Sequence, residues 1–269
     1  MIVYIYSQLS GKANQKRIEK VTSKLKTIYP DLYSYPFDEI DKINKDYLDV
    51  VLFSGGDGSF SNIINYFHDY LDKITFGYIP MGTANDIARN FGIKSAKDGI
   101  NVIRGGLIKE ETLLEINDRL FMYGVSAGEM SSVSTGAKTN EKKHYGKIVY
   151  KIRGIRYLFK KKNNILIDGK EEKLKVLIIA RTKYLGGVRI NRNFDGCLRL
   201  YKIKNIFDII ELFIFGRFKK TNNRIINNVR VNCKSIWCID GERIDTENGV
   251  IGISDKKIKM LSKNAWQHY

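Results

Sequence analysis

The sequence predicts two domains, an α/β domain on a mainly parallel sheet followed by a β-sandwich. Through the first hundred residues, apolar strands alternate with polar turns and amphipathic helices, the rhythm of β-loop-α units whose helices cover a parallel sheet. After Gly105-Gly106 the rhythm changes to strands separated mostly by turn residues, the pattern of an antiparallel sandwich. The length of 269 residues agrees, at ~150 residues per domain. The expected division is 1–106, with about 258–269 returning to it, and 107–257.

Residues 2–6 alternate β-branched and aromatic side chains, a strand. Ile18, Val21, Leu25 and Ile28 recur at helical spacing until Pro30. Residues 48–53 form the next strand and run into Ser54-Gly55-Gly56-Asp57-Gly58-Ser59. With Ser59 as N-cap, Phe60, Ile63, Ile64, Phe67 and Leu71 mark an amphipathic helix. A third strand, 74–79, ends at Pro80, and residues 81–89 turn into a further helix. In such sheets the loops at the carboxyl ends of the strands gather on one edge, so those around Ser10, Gly56 and Gly82 should face one crevice. Strands at 107–116 and 119–125 meet at Asn117-Asp118, a hairpin signal. Further strands are expected at 164–168, 173–181, 197–203, 229–239 and 249–260, with helical patches near 146–161 and 205–215.

Composition narrows the function. A hydrophobic fraction of 43% with 12% aromatics supports a packed core and excludes general disorder. No stretch reaches the ~18 consecutive apolar residues of a membrane-spanning helix. Met1 to Tyr6 reads as a strand and not as a signal peptide, so a cytoplasmic protein is expected. The three cysteines, Cys197, Cys233 and Cys238, form no CxxC pair, and His68, His144 and His268 are scattered, against a zinc site or a disulfide framework. An excess of 46 Lys+Arg over 29 Asp+Glu gives +17, but the lysines are spread along the chain and no nucleic-acid reader motif accompanies them. No nucleic-acid partner is expected.

Three short stretches carry chemistry. Gly55-Gly56-Asp57-Gly58-Ser59 lies between a strand and a helix start, where glycines let backbone amides approach a polyphosphate. It is neither a Walker-type P-loop nor GxGxxG. An Asp in such a turn suits phosphate with a divalent cation between them, but standing alone the motif reads first as a tight turn with a solvated carboxylate. Pro80 to Arg89, PMGTANDIAR, is a second strand-to-helix turn, also readable as a helix capped by Thr83 or Asn85 with Asp86 on the dipole. Asp240-Gly241-Glu242 follows an apolar strand and reads alone as a surface turn.

Together and in this order, GGDGS, PMGTANDIAR and DGE resemble the diacylglycerol kinase catalytic-domain family of soluble bacterial lipid kinases. GGDG is shared with NAD kinases; the PxGTxNDxAR string distinguishes the lipid kinases. Softer matches are Ser10-Gly11-Lys12, Lys142 to Tyr150, Gly186-Gly187 and Asp195-Gly196. The resemblance implies a Rossmann-like nucleotide-binding α/β domain plus a β-sandwich. It implies a kinase that moves the γ-phosphate of ATP, with Mg²⁺, to a lipid hydroxyl, diacylglycerol as default and phosphatidylglycerol an alternative. Under it, Ser10, Gly11, Gly55, Gly56, Asp57, Gly58, Ser59, Gly82, Thr83, Asn85 and Glu242 line the ATP site, Asp57 serves the catalytic Mg²⁺, and Asp240 is the general base. A structural Mg²⁺ would map to Asp195, with backbone near Arg192 and Cys197.

The chain also departs from the family pattern. The first loop lacks the usual Asn and Pro, Ser61-Asn62 replaces Asn-Glu, and Arg199 stands where relatives commonly have Asp. These changes raise a catalytically silent lipid- or nucleotide-binding protein as a second class, while the intact Asp57, Asp240 and Glu242 point to an active enzyme. A lipid kinase without a spanning helix meets its substrate at the bilayer, so peripheral contact with the inner membrane face is expected and a homodimer is left open. Ile148, Ile152, Ile155 and Phe159 form a stripe beside Lys151, Arg153, Arg156 and Lys160–Lys162, suited to anionic lipid or to packing on the sandwich. Phe213, Phe215 and Phe218 beside Arg217, Lys219 and Lys220 make a second candidate rim, although these aromatics read first as core.

Overall fold

In the computed structural model, which describes residues 1–8, 13–128, 161–191, 193–213 and 222–263, the chain divides into two units. The first is Met1–Thr112 with Asp255–Tyr269, the second Leu113–Ser254.

In the first unit, β1 (Ile2–Tyr6) pairs in parallel with β2 (Tyr33–Pro36) and with β3 (Val50–Gly55), and β3 pairs in parallel with β4 (Thr75–Pro80). The far edge of β4 is covered by the end of the chain, Lys259 and Met260 lying opposite Thr75 and Phe76. The helices are α1 (Gln15–Lys26), α2 (Asp57–Tyr66), α3 (Asp86–Asn90) and α4 (Ala96–Gly105). Asn14 caps α1 by accepting from the Arg17 amide, and Ile18, Val21 and Leu25 are its buried stripe. Phe60 of α2 stacks on Tyr78 of β4 with ring centroids 4.9 Å apart, and Phe53 stacks on the same Tyr78 at 5.9 Å. Large apolar areas at fixed offsets hold α2, and the turn that precedes it, in one place on the sheet.

Strand β2 and helix α4 were not expected. Helix α4 starts at a Ser95 cap, whose hydroxyl accepts from the Asp98 amide. Gly99 lies within it because a Cβ there would be 2.9 Å from the Tyr78 carbonyl, so the helix rests directly on β4. Helix α2 begins at Asp57 with Gly56 as its cap. The reading of Ser59 as N-cap is therefore corrected: Ser59 lies inside the first turn.

The second unit is a sandwich of antiparallel sheets. One runs β14-β13-β10-β7-β16-β17, and strands β9-β8-β15-β18 lie consecutively in the other. These are β7 (Gly124–Ala127), β8 (Asn163–Ile167), β9 (Lys170–Leu174), β10 (Val176–Ala180), β13 (Arg199–Ile203), β14 (Asn223–Ile225), β15 (Asn228–Asn232), β16 (Trp237–Ile239), β17 (Glu242–Ile244) and β18 (Asn248–Ser262). Strand β5 (Leu107–Ile116) meets β6 (Arg119–Phe121) through Asn117-Asp118, both at positive φ, the hairpin turn expected there. A small hairpin, β11 (Tyr184–Leu185) and β12 (Val188–Arg189), turns at Gly186-Gly187. Leu177, Ile179, Leu200, Trp237 and Ile239 of one sheet and Ile165, Ile167, Val229, Val231 and Ile251 of the other are buried in a shared core. The opposite face of β10 and β13, with Val176, Ile178 and Ile203, is closed by Leu212 of α5 (Ile206–Phe213) and by Ile190.

Three expected strands are each two. The run 173–181 breaks at Lys175, whose amide donates to the Ile203 carbonyl, and β9 and β10 join different sheets. The run 229–239 breaks after Cys233, whose carbonyl accepts the Trp237 indole N–H, again at a change of sheet. The run 119–125 breaks at Met122-Tyr123, whose amides turn to a side chain. The helical patch expected at 146–161 lies outside the described residues apart from Lys161, as do the side chain of Phe213 and residues 215–220.

Candidate functional site

The site of the first unit is made where β3 and β4 end. Their carboxyl ends are adjacent, Gly55 opposite Pro80 in the register, and the Met81 amide donates to the Gly55 carbonyl at 2.8 Å. The two turns then touch: a Cβ on Gly82 would lie 2.7 Å from the Gly56 Cα and 2.8 Å from Asn85 Oδ1. Only glycine allows that approach. The expectation that the Gly56 and Gly82 loops share one edge is met in this unit; Ser10 and Gly11 lie outside the described residues.

Asp57 ties the turns together. Its carboxylate, 8% exposed, accepts from the backbone amides of Asp86 at 2.9 Å and Ile87 at 3.0 Å. The side chain that opens α2 thus caps α3, and its charge meets the positive end of the helix. Neither residue expected to cap α3 does so: Asn85 holds the cap position at φ 55° and instead donates from Nδ2 to the Gly82 carbonyl at 2.9 Å. Tyr78 supports the arrangement from beneath, its hydroxyl donating to the Gly55 carbonyl at 3.2 Å and reaching Asp57 Oδ1 at 3.5 Å. Burial pushes this hydroxyl well above its ordinary pKa, and the Asp57 carboxylate adds to the effect. Tyr78 was not among the expected site residues, since a tyrosine in an apolar strand carries no sequence signal of this role. Gly58 and Ser59 follow in the first turn of α2, whose leading amides have no partner in the helix ladder. Thr83 is half-buried in the second turn.

The candidate base lies in the second unit. Asp240 and Gly241, at φ 45° and 87°, form the tight turn between β16 and β17. This is the hairpin turn that Asp-Gly favours, but it is not a surface turn: Asp240 is 1% exposed. Its Oδ2 accepts from the Met122 amide at 2.7 Å, and its Oδ1 from the Tyr123 and Gly124 amides at 3.0 and 3.1 Å. Three converging N–H groups fix the carboxyl in one orientation and interrupt the strand between β6 and β7. Glu242 opens β17 opposite Ile239, half-buried.

Asp195 lies in the turn before β13. Its Oδ1 accepts from the Cys197 amide at 3.1 Å and its Oδ2 pairs with the Arg199 guanidinium. Burial works to raise this carboxyl, yet the Arg199 and Cys197 donors outweigh it and leave it below its ordinary value. Arg192 lies outside the described residues.

Residues 2–116 match the family model of the diacylglycerol kinase catalytic domain. The diacylglycerol kinase of Staphylococcus saprophyticus is 27% identical over 164 residues, 57% of this chain and 53% of that protein. The diacylglycerol kinase of a bovine strain of Staphylococcus aureus is 27% identical over 163 residues, 57% of this chain and 52% of its own. The chain therefore spans about half the length of the curated relatives it matches. The crystal structure of a diacylglycerol kinase from Bacillus anthracis superposes with a TM-score of 0.74 over 97% of this chain and 96% of the other, at 17% identity. The fold likeness extends through both units, and the joined GGDGS and PMGTANDIAR turns lie within residues 2–116, the stretch that matches the diacylglycerol kinase catalytic-domain model.

Proposed function

We propose that this chain is an ATP-dependent lipid kinase that phosphorylates a lipid hydroxyl, with diacylglycerol as acceptor and phosphatidic acid as product. The observation that carries the reading is the Asp57 bridge: the two motifs of the family form one pair of turns, held by a buried carboxylate and a glycine-glycine contact. In this reading the amides of Gly56, Gly58 and Ser59 cradle the ATP phosphates, Gly55 and Gly82 keep the backbone close, and Thr83, Asn85 and Glu242 hold the nucleotide. Ser10 and Gly11 close it from the first loop.

The carboxylate of Asp57 is a hard oxygen donor beside a phosphate-binding turn, the chemistry that suits Mg²⁺. Asp57 would hold the ion while its carboxylate also accepts from the Asp86 and Ile87 amides. When bound, Mg²⁺ supplies charge neutralisation on the transferring phosphate. The protein's remaining task is to align the acceptor and receive one proton. Asp240 is the proposed acceptor of that proton. Phosphoryl transfer passes through a loose transition state with little covalent chemistry for the protein, so one fixed carboxylate at the acceptor suffices.

A second reading, a lipid- or nucleotide-binding protein without transfer activity, is favoured by the depth at which Asp240 is held. Purified chain incubated with γ-labelled ATP, Mg²⁺ and vesicles containing diacylglycerol or phosphatidylglycerol separates the two. The kinase reading expects labelled phosphatidic acid; nucleotide binding without label in any lipid would establish the silent one. No helix among the described residues is long and apolar enough to cross a membrane. The proposed enzyme works from the cytoplasm and touches the inner membrane face only to reach its substrate.

A further inference from the structure

The family resemblance implies a structural Mg²⁺ at Asp195, and the donors around that turn do not fit one. Both carboxylate oxygens are engaged, one by the Cys197 amide and one by Arg199. The next carbonyl, Gly196, accepts from Arg181 Nε at 2.8 Å. Arg199 also reaches strand β14, its Nη1 donating to Asn223 Oδ1 at 3.4 Å. The arginines come from facing chain ends: Arg181 follows β10, Arg199 opens β13, and Ala180 and Arg199 are register partners. No group of three or more metal-ligating side chains occurs among the described residues. A divalent cation here would meet two fixed guanidinium charges and a carboxylate already neutralised.

We propose that Arg199 is a built-in replacement for the cation, closing the 195–199 turn onto β14 and freeing the second unit from dependence on divalent metal. A metal in such a turn gathers oxygens from separate segments. The guanidinium fork does the same, with one nitrogen on Asp195 and another on Asn223, and its rigid planar geometry suits two acceptors at once. The role belongs to the fold and does not depend on the lipid kinase reading. It also accounts for Arg where relatives commonly carry Asp: an arginine supplies the positive charge that two carboxylates would otherwise have to recruit.

The test is thermal unfolding of the full chain, without nucleotide, in chelator and then in millimolar Mg²⁺ or Ca²⁺ at constant ionic strength, together with elemental analysis of the protein as purified. The expected result is a melting temperature at which Asp195 contributes no metal response. Arg199→Ala should lower it by about 2–4 °C whether or not metal is present. Arg199→Asp, which places a second carboxylate beside Asp195, should fall further in chelator and recover with Mg²⁺ or Ca²⁺. The proposal is overturned if the wild-type chain retains a divalent ion that Asp195→Asn loses, or melts lower in chelator through a response that Asp195→Asn abolishes. A metal response that survives Asp195→Asn belongs to another site and leaves the proposal standing. An Arg199→Asp variant indifferent to metal would also overturn it, and if that variant does not fold the wild-type measurements decide alone.

Discussion

Replacing Asp240 with Asn separates a catalytic carboxylate from a bracing one, provided its two effects are measured apart. The amide keeps one acceptor oxygen for Tyr123 and Gly124, but its NH₂ then faces the Met122 amide, now 2.7 Å from Oδ2. A charge-assisted bond is lost and two donors oppose each other in a buried place, costing about 2–4 kcal/mol. For a unit of this size the melting temperature should drop by about 5–15 °C. Against a starting stability of ~5–15 kcal/mol most molecules stay folded at 25 °C, so instability alone reduces the transfer rate only slightly. Losing a positioned proton acceptor costs about 10²–10⁴-fold. The assay is the initial rate of phosphate transfer to diacylglycerol at 25 °C, corrected for the folded fraction by circular dichroism. The expected corrected loss is about 10²-fold or more. A corrected rate within about fivefold of the wild type, well short of that loss, would refute the base assignment and leave Asp240 as a brace of the β16–β17 turn.

Gly82→Ala should push apart the two turns, since its Cβ would meet Gly56 Cα and Asn85 Oδ1 below 3 Å; a loss of about 1–3 kcal/mol in stability and weaker ATP binding by calorimetry are expected, and unaltered affinity would show that the contact is dispensable. Asp57→Ala should uncap α3, speed hydrogen exchange at the Asp86 and Ile87 amides and cost about 1–2 kcal/mol. Stability of the second unit should fall in acid. Burial works to raise Asp168, but the Arg230 amide and the Arg224 guanidinium prevail and its carboxyl lies below the ordinary value, as does that of Asp195. Depressed carboxyls stabilise fully above the unfolded value of ~3.9, and that contribution is lost as pH falls through the folded values. Denaturant titrations should therefore steepen in pH dependence below about pH 4, and Arg224→Ala should flatten that slope; an unchanged slope would exclude the pair as its source.

Much of this architecture was legible because local signals and the final fold agree. The strand-turn-helix passages through Gly56 and Gly82 show in the apolar runs and in the glycines between them. Helix α4 was hidden by Gly99, a poor helix former locally and the only residue that lets the helix lie on Tyr78. The 173–181 and 229–239 runs misled for a physical reason: both halves of each point apolar side chains into the same core, so the pattern continues although the chain changes sheet. At the candidate site, the types of residue were visible and their partners were not. Asp168-Gly169 and Asp240-Gly241 form the same kind of turn, with φ of 51° and 80° in one and 45° and 87° in the other. One carboxylate is about half exposed and pairs with Arg224; the other is enclosed by three amides. Nothing local distinguishes them, because the enclosing amides come from residues more than a hundred positions away. The capping of α3 by Asp57 escaped notice because the carboxylate comes from another turn, 29 and 30 positions from the amides it accepts.

The strand β18 has a bearing on how this protein is made. Its first residues pair with β15, Asn248 opposite Asn232, and its last with β4, Lys259 opposite Thr75. On a ribosome, the edge of β4 therefore waits while about 180 further residues are added, on the order of 10–40 s at usual elongation rates. Until then its unpaired backbone groups are open to any passing strand. The sheet of the first unit is sealed at β4 only when residues 259 and 260 emerge, so a unit begun first is closed by a strand made after the whole of the second.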